Sequence, residues 1–64
     1  MMFFKNDRLT FYYRFTWGVY SVKMTKFDAK SKVKMTSIDV SKQDFEKMKA
    51  TMISNGWVEC EKPV

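Results

Sequence analysis

The chain has 64 residues and a formal net charge of +5, with no histidine and one cysteine. A single domain (1–64) of this size buries only roughly 60% of the surface its unfolded chain exposes. Yet 45% hydrophobic and 17% aromatic residues are too many for intrinsic disorder. Cys60 alone excludes an internal disulfide, the lack of histidine removes the usual catalytic base, and no apolar run reaches the ~20 residues of a membrane span.

At the start, MMFFK is too short for a signal peptide and has no basic region before its apolar run. With a lone thiol suited to a reducing compartment, the chain reads as soluble and cytoplasmic. Leu9 is the only leucine, so a core must come from six Met, six Phe, three Tyr, two Trp and the Val/Ile set. Methionine and aromatics fill irregular gaps and also make adaptable contact surfaces.

From Arg8 to Phe27 the sequence predicts two strands. Leu9, Phe11, Tyr13 and Phe15 alternate with Thr10, Tyr12, Arg14 and Thr16, the period of a strand with one buried face. A turn at Trp17-Gly18 sets Tyr13 opposite Val22 and Phe11 opposite Met24, and sends Tyr20, Val22 and Met24 to the buried face.

VKMTKFD (22–28) and VKMTSID (33–39) share five of seven residues, eleven positions apart. Asp28-Ala29-Lys30-Ser31 between them is rich in turn formers, so the copies read as the arms of a second hairpin. A four-residue loop sets Met24 against Met35, Lys23 against Thr36 and Thr25 against Lys34, and avoids placing Lys23 opposite Lys34, where like charges repel. Val and Met then face inward, Lys and Thr outward.

Ser41 is a good helix N-cap, with Asp44 at the third helical position and Val40 and Phe45 spaced as a hydrophobic staple. Phe45, Met48, Met52 and Ile53 form one apolar stripe. Asn55-Gly56 signals the C-terminus, with Trp57 placed to pack back on Met52. Val58 to Cys60 alternates as a last strand, ended by Glu61, Lys62 and Pro63. The expected fold is α+β: a three- to four-stranded antiparallel sheet (β-β-β-α-β) with one helix on one face. The last strand is expected beside the first, parallel to it, in the order 4-1-2-3, unless MMFFK takes that edge instead.

Chemistry is sparse. Glu59 and Glu61 share a side of the last strand, but a catalytic carboxylate pair needs a pocket to separate its pKa values; they read as solvated charges. Gly18 and Gly56 are absorbed by turn and cap, so no phosphate loop remains. No catalytic residue, cofactor or metal site is assigned. The charge is informative: residues 1–38 carry Lys5, Arg8, Arg14, Lys23, Lys26, Lys30, Lys32 and Lys34 against only Asp7 and Asp28. Arg14, Lys23, Lys32 and Lys34 point away from the helix, with Tyr12 and a band of threonines.

That face has three readings. It is a solvated surface that also guards an edge strand, a docking surface for an acidic protein, or a site for single-stranded nucleic acid stacked on Tyr12. A competing site is the edge where Phe3, Phe4 and Trp57 meet. A homodimer through the edge strands and MMFF is a further option.

About sixty residues in a β-β-(β)-α-β order, scarce in Ala, Gly, Pro and Leu and rich in Lys, Met and Phe, resemble small phage proteins that block host machinery, such as phage inhibitors of bacterial RNA polymerase and the antitoxins of T-even phages. The resemblance is architectural and assigns no residue. It implies a non-enzymatic inhibitor or modulator that occludes a host protein complex. The expected contact residues, Tyr12, Arg14, Lys23, Lys32 and Lys34, come from the charged sheet face alone.

Overall fold

The computed structural model describes residues 1–61. Five strands and one helix follow in the order β1 (Met2–Lys5), β2 (Phe11–Trp17), β3 (Ser21–Asp28), β4 (Lys34–Ser41), α1 (Lys42–Ser54) and β5 (Val58–Cys60). The strands form one sheet in the order β4-β3-β2-β1-β5, and every neighbouring pair is antiparallel. The α+β class is therefore as expected, with one strand more than the sequence was read to hold. MFFK is that strand. It pairs with β2 and displaces β5 to its own outer side, where β5 runs antiparallel to it. The parallel placement beside β2 is thus corrected. Lys62 and Pro63, expected to end β5, lie outside the described residues.

The first hairpin turns two residues later than expected, so each β2 residue meets a β3 partner four positions further on. Gly18 donates to Ser21, Val19-Tyr20 forms the tip, Phe15 faces Met24 and Trp17 faces Val22. A Cβ on Gly18 would lie 3.0 Å from the Ser21 carbonyl oxygen, which accounts for glycine at this close approach. The later turn keeps Trp17 in the strand, where its ring meets Phe45 edge-on at 5.0 Å. Tyr20, expected inside, is instead 91% exposed, and Leu9 is exposed in the β1–β2 loop. An even shift preserves side-chain parity, so Val22 and Met24 still face the helix.

The second hairpin departs further. Met24 faces Ile38, not Met35, and Thr25 faces Ser37. The Asp28 carboxylate accepts from the amides of Lys30 and Ser31. Lys32 takes a left-handed φ of 63°, and the Asp28 amide closes the loop on the Val33 carbonyl. A bulge at Lys26/Phe27 leaves Met35 without an opposite residue. This register brings Val40 into the core, and Thr36 and Ile38 to the helix side. Val33 and Met35 are exposed. The repeat is therefore not one strand written twice face to face, because its second copy straddles loop and bulge.

The helix follows its local signals. Ser41 Oγ accepts from the Asp44 amide at 3.0 Å. At the other end Gly56 (φ 93°) donates to Ile53 and Trp57 donates to Met52, the paired bonds of a Schellman ending. Phe45 is buried and Met48 and Met52 half-buried, but Ile53 is exposed, so the stripe is narrower than its spacing suggested. Phe4, Phe15, Val22 and Phe45 form the core, with Met2, Tyr13, Met24, Val40, Met52 and Trp57 packed around it.

Phe45 is the only fully buried side chain of the helix. Phe45→Ala is expected to cost about 3–5 kcal/mol, most of the stability of so small a domain. Chemical denaturation followed by circular dichroism measures it; a melting temperature within a degree or two of wild type would refute this account of the core.

Candidate functional site

One helix covers one face, so the sheet's other face stays open. Parity assigns its residues: Phe3 and Lys5 from β1, Tyr12, Arg14 and Thr16 from β2, Lys23, Thr25 and Phe27 from β3. Lys34 and Ser37 join them from β4, opposite Phe27 and Thr25. Lys5, Tyr12, Phe27 and Lys34 form one row across four strands. Phe3, Arg14, Thr25 and Ser37 form the next.

Aromatic packing holds this face together in place of a helix. Tyr12 stacks on Phe27 at 5.2 Å with the planes 12° apart, and Phe3 lies against Tyr12 at 6.1 Å. The Arg14 guanidinium sits 4.9 Å from the centre of the Phe27 ring, and Lys32 Nζ 5.4 Å from that of Tyr12. Each such cation–ring contact contributes roughly 0.5–1 kcal/mol at a surface. Thr25 is buried between them, its hydroxyl 3.3 Å from that of Ser37. Arg14 Nε is buried with no hydrogen-bond partner among the described residues.

Of the expected contact residues, the structure brings together Tyr12, Arg14, Lys32 and Lys34. Lys23 is separated. It pairs with Asp39 and Thr16, four residues and thus about 13 Å along β3 from Phe27, so it does not form one patch with Lys34. Tyr12 retains only 7% exposure and is a buried support of the face, not the free aromatic anchor expected. Sequence reasoning missed Phe27, Phe3 and Lys5. Phe27 shares parity with Lys23 and Thr25, so strict alternation along β3 pointed to it.

The alternative site does not exist as one surface. Phe4 is fully buried in the core, Phe3 is on the opposite face, and Trp57 is half-buried against Phe11 and Tyr13 on the helix side, with ring centroids at 5.8 and 5.2 Å. Cys60 pairs with Phe3, and burial pushes its thiol upward, so little thiolate is present at neutral pH.

No group of three or more His, Cys, Asp or Glu placed to hold a metal occurs among the described residues. Nor is any helix among them long and apolar enough to cross a membrane. A concavity of about 600 Å³ lies open between the Asn6–Arg8 turn and the end of α1. Its one acid, Asp7, is 3.9 Å from Lys5. Comparison with protein-family models, curated proteins and solved structures returns no match.

The loop that positions Lys32 depends on Asp28. Backbone hydrogen bonds from Ser31 and Lys30 hold the Asp28 carboxyl below its ordinary pKa. A lowered folded-state pKa contributes stability above the ordinary carboxylate range and loses it as pH falls through the lowered value. Asp28→Ala should therefore reduce the denaturation midpoint at neutral pH, with the gap to wild type closing as pH falls through the ordinary carboxylate range and below it. A gap that stays constant with pH would show that the carboxylate does not organise the loop.

Proposed function

We propose that the chain is a non-enzymatic binding protein whose open sheet face docks on an acidic patch of a larger protein and inhibits or modulates that protein by occupying it. One observation carries this reading: Arg14 and Lys32 lie across the rings of Phe27 and Tyr12 instead of ranging free in solvent. Side chains already ordered lose less freedom on binding, where each mobile one costs about 0.5–1.5 kcal/mol. Fixed positive charge with an apolar backing suits carboxylates on a protein surface, and complementary charge speeds their encounter. The unpartnered Arg14 Nε adds to this, since a buried donor left unsatisfied costs about 1–3 kcal/mol and gives a structural role little support. Small size, a basic composition and a sheet with one helix suggest a phage-type inhibitor of a nucleic-acid-handling or defence complex.

Single-stranded nucleic acid is the second reading, favoured by one observation. Phe3, Tyr12 and Phe27 stand on three neighbouring strands, the two or three aromatics that RNA-binding sheet faces present. Against it, the Tyr12 and Phe27 rings are covered by each other and by the two cations, so a base must displace Arg14 or Lys32 before it stacks.

Lys5→Glu/Lys32→Glu is expected to slow association at least tenfold with the fold intact, since these are surface charges. Lys32→Gly tests the same cation differently: glycine relieves a left-handed residue, worth about 1 kcal/mol, so stability holds or rises while binding weakens. Partners captured from the native host by wild type and lost by both variants support the reading. Equal capture by all three removes the face as the interface. Titration with single-stranded oligonucleotides at two salt concentrations decides the second reading, because phosphate binding weakens log-linearly with salt. No binding at low salt eliminates it.

A further inference from the structure

The two edges of the sheet differ. β5 is three residues long and carries Glu59 in its middle, the short, charged form in which edges are kept from pairing. β4 is eight residues long, exposed except at Val40, and nothing pairs with its outer side among the described residues. Val33 is 60% exposed, and Met35 and Ile38 are each 52% exposed. Lys34 and the bulge at Met35 protect only its first residues, leaving Thr36 to Val40 a regular open strand.

Which backbone groups face outward follows from the hydrogen bonds. Gly18 donates to the Ser21 carbonyl, so Ser21, Lys23, Thr25 and Phe27 direct their backbone groups toward β2. The residues between them bond toward β4, as the Asp28 amide does in donating to Val33. Opposite residues in an antiparallel ladder share this sense. Thr36, Ile38 and Val40 thus bond inward to β3, and Ser37 and Asp39 turn theirs to the open edge. The close approach of the Thr25 and Ser37 hydroxyls agrees, since side chains come nearest at non-hydrogen-bonded pairs.

We infer that β4 pairs antiparallel with β4 of a second copy, the two-fold axis passing through Ser37. This inference stands on the edge alone and does not depend on the reading of the open face. An antiparallel dimer of identical edges preserves the sheet's faces, so only registers that pair residues of one face are allowed. With Ser37 on the axis, Thr36 faces Ile38 of the other copy on the helix side. On the open face the bulge returns Lys34 to the position opposite Asp39 of the other copy. Two Lys34–Asp39 pairs therefore form, related by symmetry. Moving the axis to Asp39 would instead set that carboxylate against its own copy. Within one chain Asp39 faces Lys23 and Lys34 faces Phe27, so each keeps its own partner while gaining the new one. Opposite charges across strands stabilise a pair and like charges oppose it, which makes the Lys34–Asp39 pairing both the support and the test of the register.

Sedimentation equilibrium of the full chain is expected to show the 7.7 kDa monomer at low micromolar concentration and twice that mass well above it. Lys34→Asp and Asp39→Lys should each weaken dimerisation at least tenfold, with circular dichroism unchanged. The double variant K34D/D39K, which restores opposite charges across the axis, should recover most of the loss. A wild-type chain that stays monomeric to millimolar concentration overturns the proposal. So does a dimer that both single variants leave intact, or one that the double variant fails to rescue.

Discussion

The contact between Phe15 and Phe45, edge-on with ring centroids 5.0 Å apart, fixes where the one helix can lie, and the rest follows from having only one. Phe15 is fully buried, touching Phe4 behind it at 5.8 Å, and each edge-to-face pair contributes about 0.5–1.5 kcal/mol beyond the area it buries. Seating α1 there closes one face of a five-stranded sheet. The second face has no helix and has to be stabilised by its own side chains. Stacked rings with cations laid over them meet that need, because Lys and Arg bury their stems while keeping the charge in water. The same arrangement that excludes water from Tyr12 and Thr25 therefore sets a field of positive charge outward. Stability of the open face and the positive charge it presents have one physical origin.

This constraint explains what the sequence disclosed and what it concealed. The helix was legible because its signals are local: Ser41 needs only the amide of Asp44, and Gly56 only the carbonyls of its own last turn. Alternation in Phe11 to Phe15 was legible for the same reason. Registers were not, because they are decided by competition across the sheet. Trp17 stays in the strand, edge-on to Phe45, and Val40, not Met35, packs against the core. The VKMT repeat was misleading in that comparison: a matching pattern suggested matching roles, while the Asx-type loop at Asp28 and the following bulge set the second arm out of step.

The open face shows the same division. Arg14, Tyr12 and Lys34 were placed outward by parity, and a shift by an even number left the β2 and β3 residues where alternation put them. The grouping of Lys23 with Lys34 rested on register and did not survive. Phe27 ended the second predicted strand, and alternation put it on the same side as Lys23 and Thr25, but Tyr12 was the only aromatic named on that face. Phe3 and Lys5 required knowing that MFFK is a strand, and only the sheet decides that. Tyr12 was read as an exposed anchor because neighbours that cover it, Phe27 and Lys32, come from another strand and a loop. Sequence gives a side chain's direction more readily than its surroundings.

The proposed pairing at β4 and the proposed docking at the open face, though independent, would have a joint consequence. A two-fold axis perpendicular to the sheet keeps the open faces of both copies on one side, forming a ten-stranded surface. From β2 of one copy to β2 of the other is five strand spacings, about 24 Å at ~4.8 Å each before twist. Two Tyr12–Phe27 clusters at that separation present paired positive regions, with Lys34 drawn inward to Asp39 near the axis and Arg14, Lys32 and Lys5 left outward on either side. A partner with two acidic patches at matching separation would engage both, and the second contact would then be intramolecular and far stronger than its own affinity. A partner with one patch gains nothing from the dimer. The dependence of binding on the edge strand thus reports the geometry of the target: a charge change at Asp39, which faces Lys23 and lies about 13 Å along the sheet from the Phe27 row, weakens binding only where the target is bivalent.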